Sequence, residues 1–105
     1  KARTLSARLY TECLGRTAQG TELDNWTEIY LTTGNAQVAR GILFSPEFLA
    51  QNLSDENFVD RLYAGCLGRT ADTDGRSQWL AQLQAGLSRT DLLESFLAAP
   101  EFQEQ

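Results

Sequence analysis

At 105 residues the chain has the size of one domain, and by size scaling it should bury about two-thirds of the surface its unfolded form exposes, enough core to fold without a metal or disulfide. A content of 42% hydrophobic and 22% charged residues fits neither a disordered nor a fibrous protein. The net charge of -5, with nine basic residues scattered among fourteen acidic ones, argues against nucleic acid as a partner, because phosphate binding draws on clustered Lys and Arg.

No apolar run approaches the length of a membrane span, so no membrane insertion is expected. The opening Lys1-Ala2-Arg3-Thr4 has no signal-peptide core and no initiating Met, and the chain reads as a piece of something longer or already processed.

In chain order, Leu5, Leu9, Tyr10, Cys13 and Leu14 share one face of a first helix that stops at Gly15. A second helix carries Leu23, Trp26, Ile29 and Tyr30 and closes at Gly34. Val38, Ala39, Ile42 and Leu43 mark a third. Ser45-Pro46-Glu47 then supplies N-cap, N1 proline and first-turn acid for a short helix through Phe48 and Leu49.

Ser54-Asp55-Glu56 opens the next helix, whose Phe58, Val59, Leu62, Tyr63, Cys66 and Leu67 lie on one broad face before Gly68 stops it. Trp79, Leu80 and Leu83 follow on a helix closed at Gly86. Ser88-Arg89-Thr90-Asp91 is an acidic variant of the capping box, ahead of Leu92, Leu93, Phe96 and Leu97. Pro100-Glu101-Phe102 ends the series, and no strand pattern competes.

The series is a duplication. Arg8 to Ala18 aligns with Arg61 to Ala71 at nine of eleven positions, an offset of 53 that also carries Trp26 onto Trp79. Near the end of each copy the offset becomes 54 and carries Pro46-Glu47-Phe48 onto Pro100-Glu101-Phe102. The sequence thus predicts an all-α fold: one helical bundle spanning 1–105, built from tandem pseudo-repeats over about 5–53 and 54–105, each of about three helices plus a short terminal one. Tyr10, Cys13, Trp26, Phe48, Tyr63, Cys66, Trp79, Phe96 and Phe102 are the expected core, with each Trp the central aromatic of its copy.

Chemistry is sparse. Histidine is absent, which removes the commonest general base and metal ligand and leaves Cys13 and Cys66 without an imidazole to activate them. Both cysteines read as small core hydrophobes, a disulfide between the copies being the alternative. Asp72-Thr73-Asp74-Gly75 begins like a calcium loop, but Gly stands at the fourth position and Leu83 at the twelfth. Asp72 is better read as a helix cap and Asp74 as a first-turn acid, with weak calcium binding the alternative; no metal and no cofactor is expected. Arg16 and Arg69, just past the helix-ending glycines, are placed to bond the last carbonyls or a nearby carboxylate. Arg16, Arg69, Asp72 and Asp74 are therefore the candidate ligand-binding residues. Without a nucleophile-base pair or a phosphate loop, no enzyme is expected.

Taken together, Leu62-Tyr63, Leu67-Gly68-Arg69, Asp72, Gly75, Trp79, Gly86-Leu87-Ser88 and Glu101-Phe102 resemble the signature of the bacterial domain-of-unknown-function family 4214. The first copy keeps Leu9-Tyr10, Leu14-Gly15-Arg16, Trp26, Gly34 and Glu47-Phe48, but has Gln19 for the acid and Glu22 for the Gly. The Leu-Gly-Arg and Glu-Phe elements are also similar to those of phycobilisome linker domains. The resemblance implies a non-catalytic interaction or spacer module of a larger secreted or cell-surface protein. Its partner would be a protein, an extracellular polymer or another domain of the same chain. A carbohydrate-binding accessory domain and a calcium-dependent assembly unit are the alternatives.

Overall fold

A computed structural model describes residues 2–103; Lys1, Glu104 and Gln105, at the two ends of the domain read from the sequence as 1–105, lie outside it. Eight α-helices and no strand are found among the described residues. They are α1 Ala2–Leu9, α2 Gly20–Thr33, α3 Asn35–Leu43, α4 Pro46–Leu49, α5 Asp55–Leu62, α6 Thr73–Gln84, α7 Arg89–Ala98 and α8 Pro100–Gln103. None is long and apolar enough to cross a membrane.

Side-chain caps set the starts of the helices. The Ser45 hydroxyl accepts from the Phe48 amide, Ser54 from Asn57, Ser88 from Asp91, and the Asp72 carboxylate from Gly75, each satisfying an amide that the first turn leaves open. At α2 the equivalent cap is Gln19, answered by the Glu22 side chain on the Gln19 amide.

The ends of α1 and α5 hold a feature the periodicity did not reveal. Each helix runs on into a single π-helical turn, Tyr10–Leu14 and Tyr63–Leu67. There the amides of Gly15 and Gly68 donate to the carbonyls of Tyr10 and Tyr63, five residues back, and φ of 71° and 68° puts both glycines in the left-handed region. The reversal sends the following arginine back over the tyrosine it has just passed.

One continuous core runs through both halves of the chain, formed by the inward faces of α1, α3, α5 and α7 with Phe48 from α4 and Phe102 from α8. Tyr10, Cys13, Phe48, Tyr63, Cys66, Phe96 and Phe102 are buried within it. Trp26 and Trp79 differ from expectation: both are only partly buried, and neither α2 nor α6 contributes a fully buried residue. The reason lies in the layering. These two helices cover the core from outside, so their apolar stripes touch its margin, and the central aromatic contact is Tyr63 edge-on to Phe96 with ring centroids 5.0 Å apart.

Where the two halves meet, one pair of bonds is reciprocal under the sequence offset and one ion pair joins two equated positions. Arg8 donates from Nε to the Gly65 carbonyl (2.8 Å), and its counterpart Arg61 donates from Nη1 to the carbonyl of Glu12, the counterpart of Gly65 (3.0 Å). Arg40 of α3 forms a two-point ion pair with Glu94 of α7, its own counterpart at the offset of 54 (2.6 Å for each bond). Cys13 and Cys66 are both buried free thiols, and Cys13 Sγ donates to the Arg61 carbonyl at 3.4 Å.

Candidate functional site

Arg69, set just beyond the left-handed Gly68, is drawn back onto α8. Its Nε and Nη2 reach Glu101 Oε2 and Oε1 at 2.7 and 3.1 Å, and Nη1 reaches Asp72 Oδ1 at 3.4 Å. The guanidinium lies 5.1 Å from the Tyr63 ring centroid, a cation–π stack. The Tyr63 hydroxyl packs on Gly75, where a Cβ would come within 2.6 Å of the oxygen. Gly75 leaves room for that approach, and Asp72 caps the same helix.

The cluster around Arg16 reaches the same result with different residues. Arg16 Nε and Nη2 bond Glu47 Oε2 and Oε1 at 2.7 and 3.0 Å, and the guanidinium sits 4.8 Å from the Tyr10 ring centroid. The Trp26 indole donates to the Tyr10 hydroxyl at 2.9 Å. Here the second acid is Glu22, which takes two bonds from Arg16 at 2.8 and 2.9 Å while also accepting from the Gln19 amide. Glu22 occupies the position of Gly75, so the first half replaces a cap-plus-glycine with one carboxylate that both completes the cap and holds the arginine.

Electrostatics follow the geometry. Arg16 first, and the Gln19 amide second, pull the Glu22 carboxyl from its ordinary 4.5 to about 2. Arg16 likewise holds Glu47 below the usual range, and Arg69 does so for Glu101. The Gly75 amide is the main cause of the lowered Asp72 pKa. Burial acts oppositely on the thiols: Cys13 is pushed up to about 12, and Cys66 is raised as well. A thiol raised in this way is the reverse of a nucleophile.

Of the four candidate ligand-binding residues, the structure thus brings Arg69 and Asp72 together, places Arg16 in a separate cluster, and leaves Asp74 exposed in the first turn of α6. Both Asp72 oxygens are engaged, Oδ1 by Arg69 and Oδ2 by the Gly75 amide. Among the described residues no three Asp, Glu, Cys or His side chains converge as a metal ion would need. The partners missed in the sequence are Glu22, Glu47 and Glu101. The recurrence of Glu-Phe at the end of both copies was the available signal for the last two.

The fold and these clusters define an all-helical module whose recurrent polar residues are spent on one another. The family model described as Domain of unknown function (DUF4214) matches residues 39–105, and the chain belongs to that family. No curated protein and no solved structure matches the chain.

Proposed function

We propose that the chain is a non-catalytic interaction or spacer module of a larger secreted or cell-surface protein, folded as one domain from two copies of a helical unit over about 5–53 and 54–105. The observation that carries this reading is the closure of both arginine clusters, in which Arg16 and Arg69 are each held by two carboxylates and a tyrosine ring. Residues so engaged hold helices in place and are not open for acid-base or metal chemistry within these two clusters. Free thiols raised by burial and the absence of histidine from the sequence support the same reading.

The experiment is to delete 1–105 from the full-length protein and compare two readouts. Attachment of the host protein to its partner should fall while any activity of the remaining domains is kept. Loss of activity with attachment intact would reject the reading.

A further inference from the structure

Between the end of α1 and the α5–α6 pair of the other half lies a pocket of about 660 Å³. Three arginines line it, Arg8, Arg69 and Arg76, together with the acids Glu12 and Asp60. On a chain of net charge -5, with nine basic residues scattered along its length, three of them meet at this one place.

The first half shows which part of this arrangement the fold can do without. Arg76 donates from Nε and Nη2 to Asp60 Oδ1 and Oδ2 at 2.8 and 3.2 Å. At the offset of 53 the counterparts of Arg76 and Asp60 are Leu23 and Ala7, so the other copy forms the same helices with neither member of the pair. The pair is an addition to the unit, and it fixes a guanidinium on the pocket wall whose Nη1 makes no hydrogen bond among the described residues. Arg8 is tied to the Gly65 and Cys66 carbonyls at 2.8 and 3.1 Å, and Arg69 to Glu101 and Asp72. Cations already fixed in place lose little side-chain freedom when an anion arrives.

We propose that this pocket binds a hexuronate unit of an acidic polysaccharide. The sugar carboxylate sits on Arg76 Nη1, in the field of Arg8 and Arg69. The sugar hydroxyls donate to the Glu12 carboxylate and the Thr70 hydroxyl, neither of which makes a hydrogen bond among the described residues. The proposal rests on the interaction-module reading and names an extracellular polymer as the partner.

The lining selects this class of ligand. Besides its charged side chains and Thr70 it holds two alanines and a glycine, with no large apolar anchor of the kind that carries peptide binding. Two carboxylates in the wall and the net charge of -5 oppose a dense polyanion such as nucleic acid. A single carboxylate surrounded by hydroxyls answers a wall that offers donors and acceptors side by side.

The test is calorimetric titration of the chain with trigalacturonate, maltotriose, tetraglutamate and inorganic phosphate. Trigalacturonate should bind about tenfold more tightly than any of the others, and less tightly as salt is raised. Asp60→Ala combined with Arg76→Leu, which installs the residues of the first half, should weaken it about tenfold through loss of a charge-assisted bond. Circular dichroism should show the fold of that variant unchanged. Thr70→Val, at an exposed loop position, should weaken trigalacturonate about threefold and decides the matter alone if the double variant unfolds.

Equal binding of phosphate would make the pocket a bare oxyanion site, and equal binding of tetraglutamate an acidic-peptide site; either overturns the assignment. So would maltotriose matching trigalacturonate, no heat from any ligand, or undiminished affinity in the variants. Each of these leaves the module reading to its own deletion experiment, which reads attachment of the host protein to whatever partner it has.

Discussion

Gly65 sits against Cys13 so closely that a Cβ on the glycine would lie 2.5 Å from the Cys13 sulfur. The counterpart of Gly65 in the first half is Glu12, which is exposed, so the glycine answers a contact that only one half makes.

Gly65→Ala should therefore destabilise the fold. A helical Gly→Ala change gains about 1 kcal/mol in propensity, but overpacking a filled site costs about 1–3 kcal/mol, and Cys13 is fully buried with no space to yield. Gly20→Ala is the matched control: it lies at the start of α2 with nothing within 4 Å of the new methyl, and should stabilise by about 0.4–1 kcal/mol. Urea midpoints at constant m-value measure both. An unchanged or higher midpoint for Gly65→Ala would show that the two helices can move apart without loss.

Arg69→Lys should lose most of what Arg69→Ala loses. An ammonium cannot reproduce the two parallel bonds to Glu101 while lying flat on Tyr63. The Arg69–Glu101 coupling in a double-mutant cycle should fall within about 0.2–1 kcal/mol, because both side chains remain well exposed. Full rescue of Arg69→Ala stability by lysine would reduce the cluster to simple charge attraction.

Acid should weaken the fold through the same carboxylates. Glu22, Glu47, Glu94, Glu101 and Asp72 all have lowered pKa values in the folded chain, so the unfolded chain binds more protons in acid. Their contribution is complete above the ordinary carboxylate range and is lost as pH falls; for Glu22 the window runs from 4.5 down to about 2. Urea midpoints measured from pH 6 to pH 2 should fall across that interval. Glu22→Gln should flatten part of the decline, and an unaltered profile in that variant would remove Glu22 as a contributor.

The thiols should behave as buried, reduced groups. Neither Cys13 nor Cys66 should react with a thiol reagent at pH 8 in the folded protein, and both should react in urea without prior reduction. Absence of reaction in urea would reveal a disulfide. Since burial raises both pKa values, their contribution is whole below the ordinary 9.0 and is lost as pH rises, for Cys13 up to about 12. Stability should therefore decline again in strong alkali.

The buried faces of α1, α3, α5 and α7 were legible because helical periodicity is local: Leu9, Cys13, Leu62 and Cys66 are four of the most deeply buried residues, and each falls on its expected stripe. The serine and aspartate caps were legible for the same reason, since donor and acceptor are three residues apart. The arginine clusters were only half legible. Arg16 and Glu47 are separated by 31 residues, and no short-range rule joins them. Glu22 was read as a departure from the family pattern, and it is one in sequence; in space it restores the second acid that Gln19 lacks. Periodicity also places Trp26 on an apolar stripe without saying how deep that stripe lies. The depth depends on whether the helix is covered on one side or several, which is a property of the whole packing.

The exchange in which Arg8 serves the Gly65 carbonyl and Arg61 serves that of Glu12 ties the C-terminal end of one half's first helix to the C-terminal end of the other's. Neither π-helical turn can fray without withdrawing a carbonyl to which an arginine of the opposite half donates. The two halves should accordingly open together, with amides of Leu9 and Leu62 exchanging against deuterium at a common rate set by a single global event.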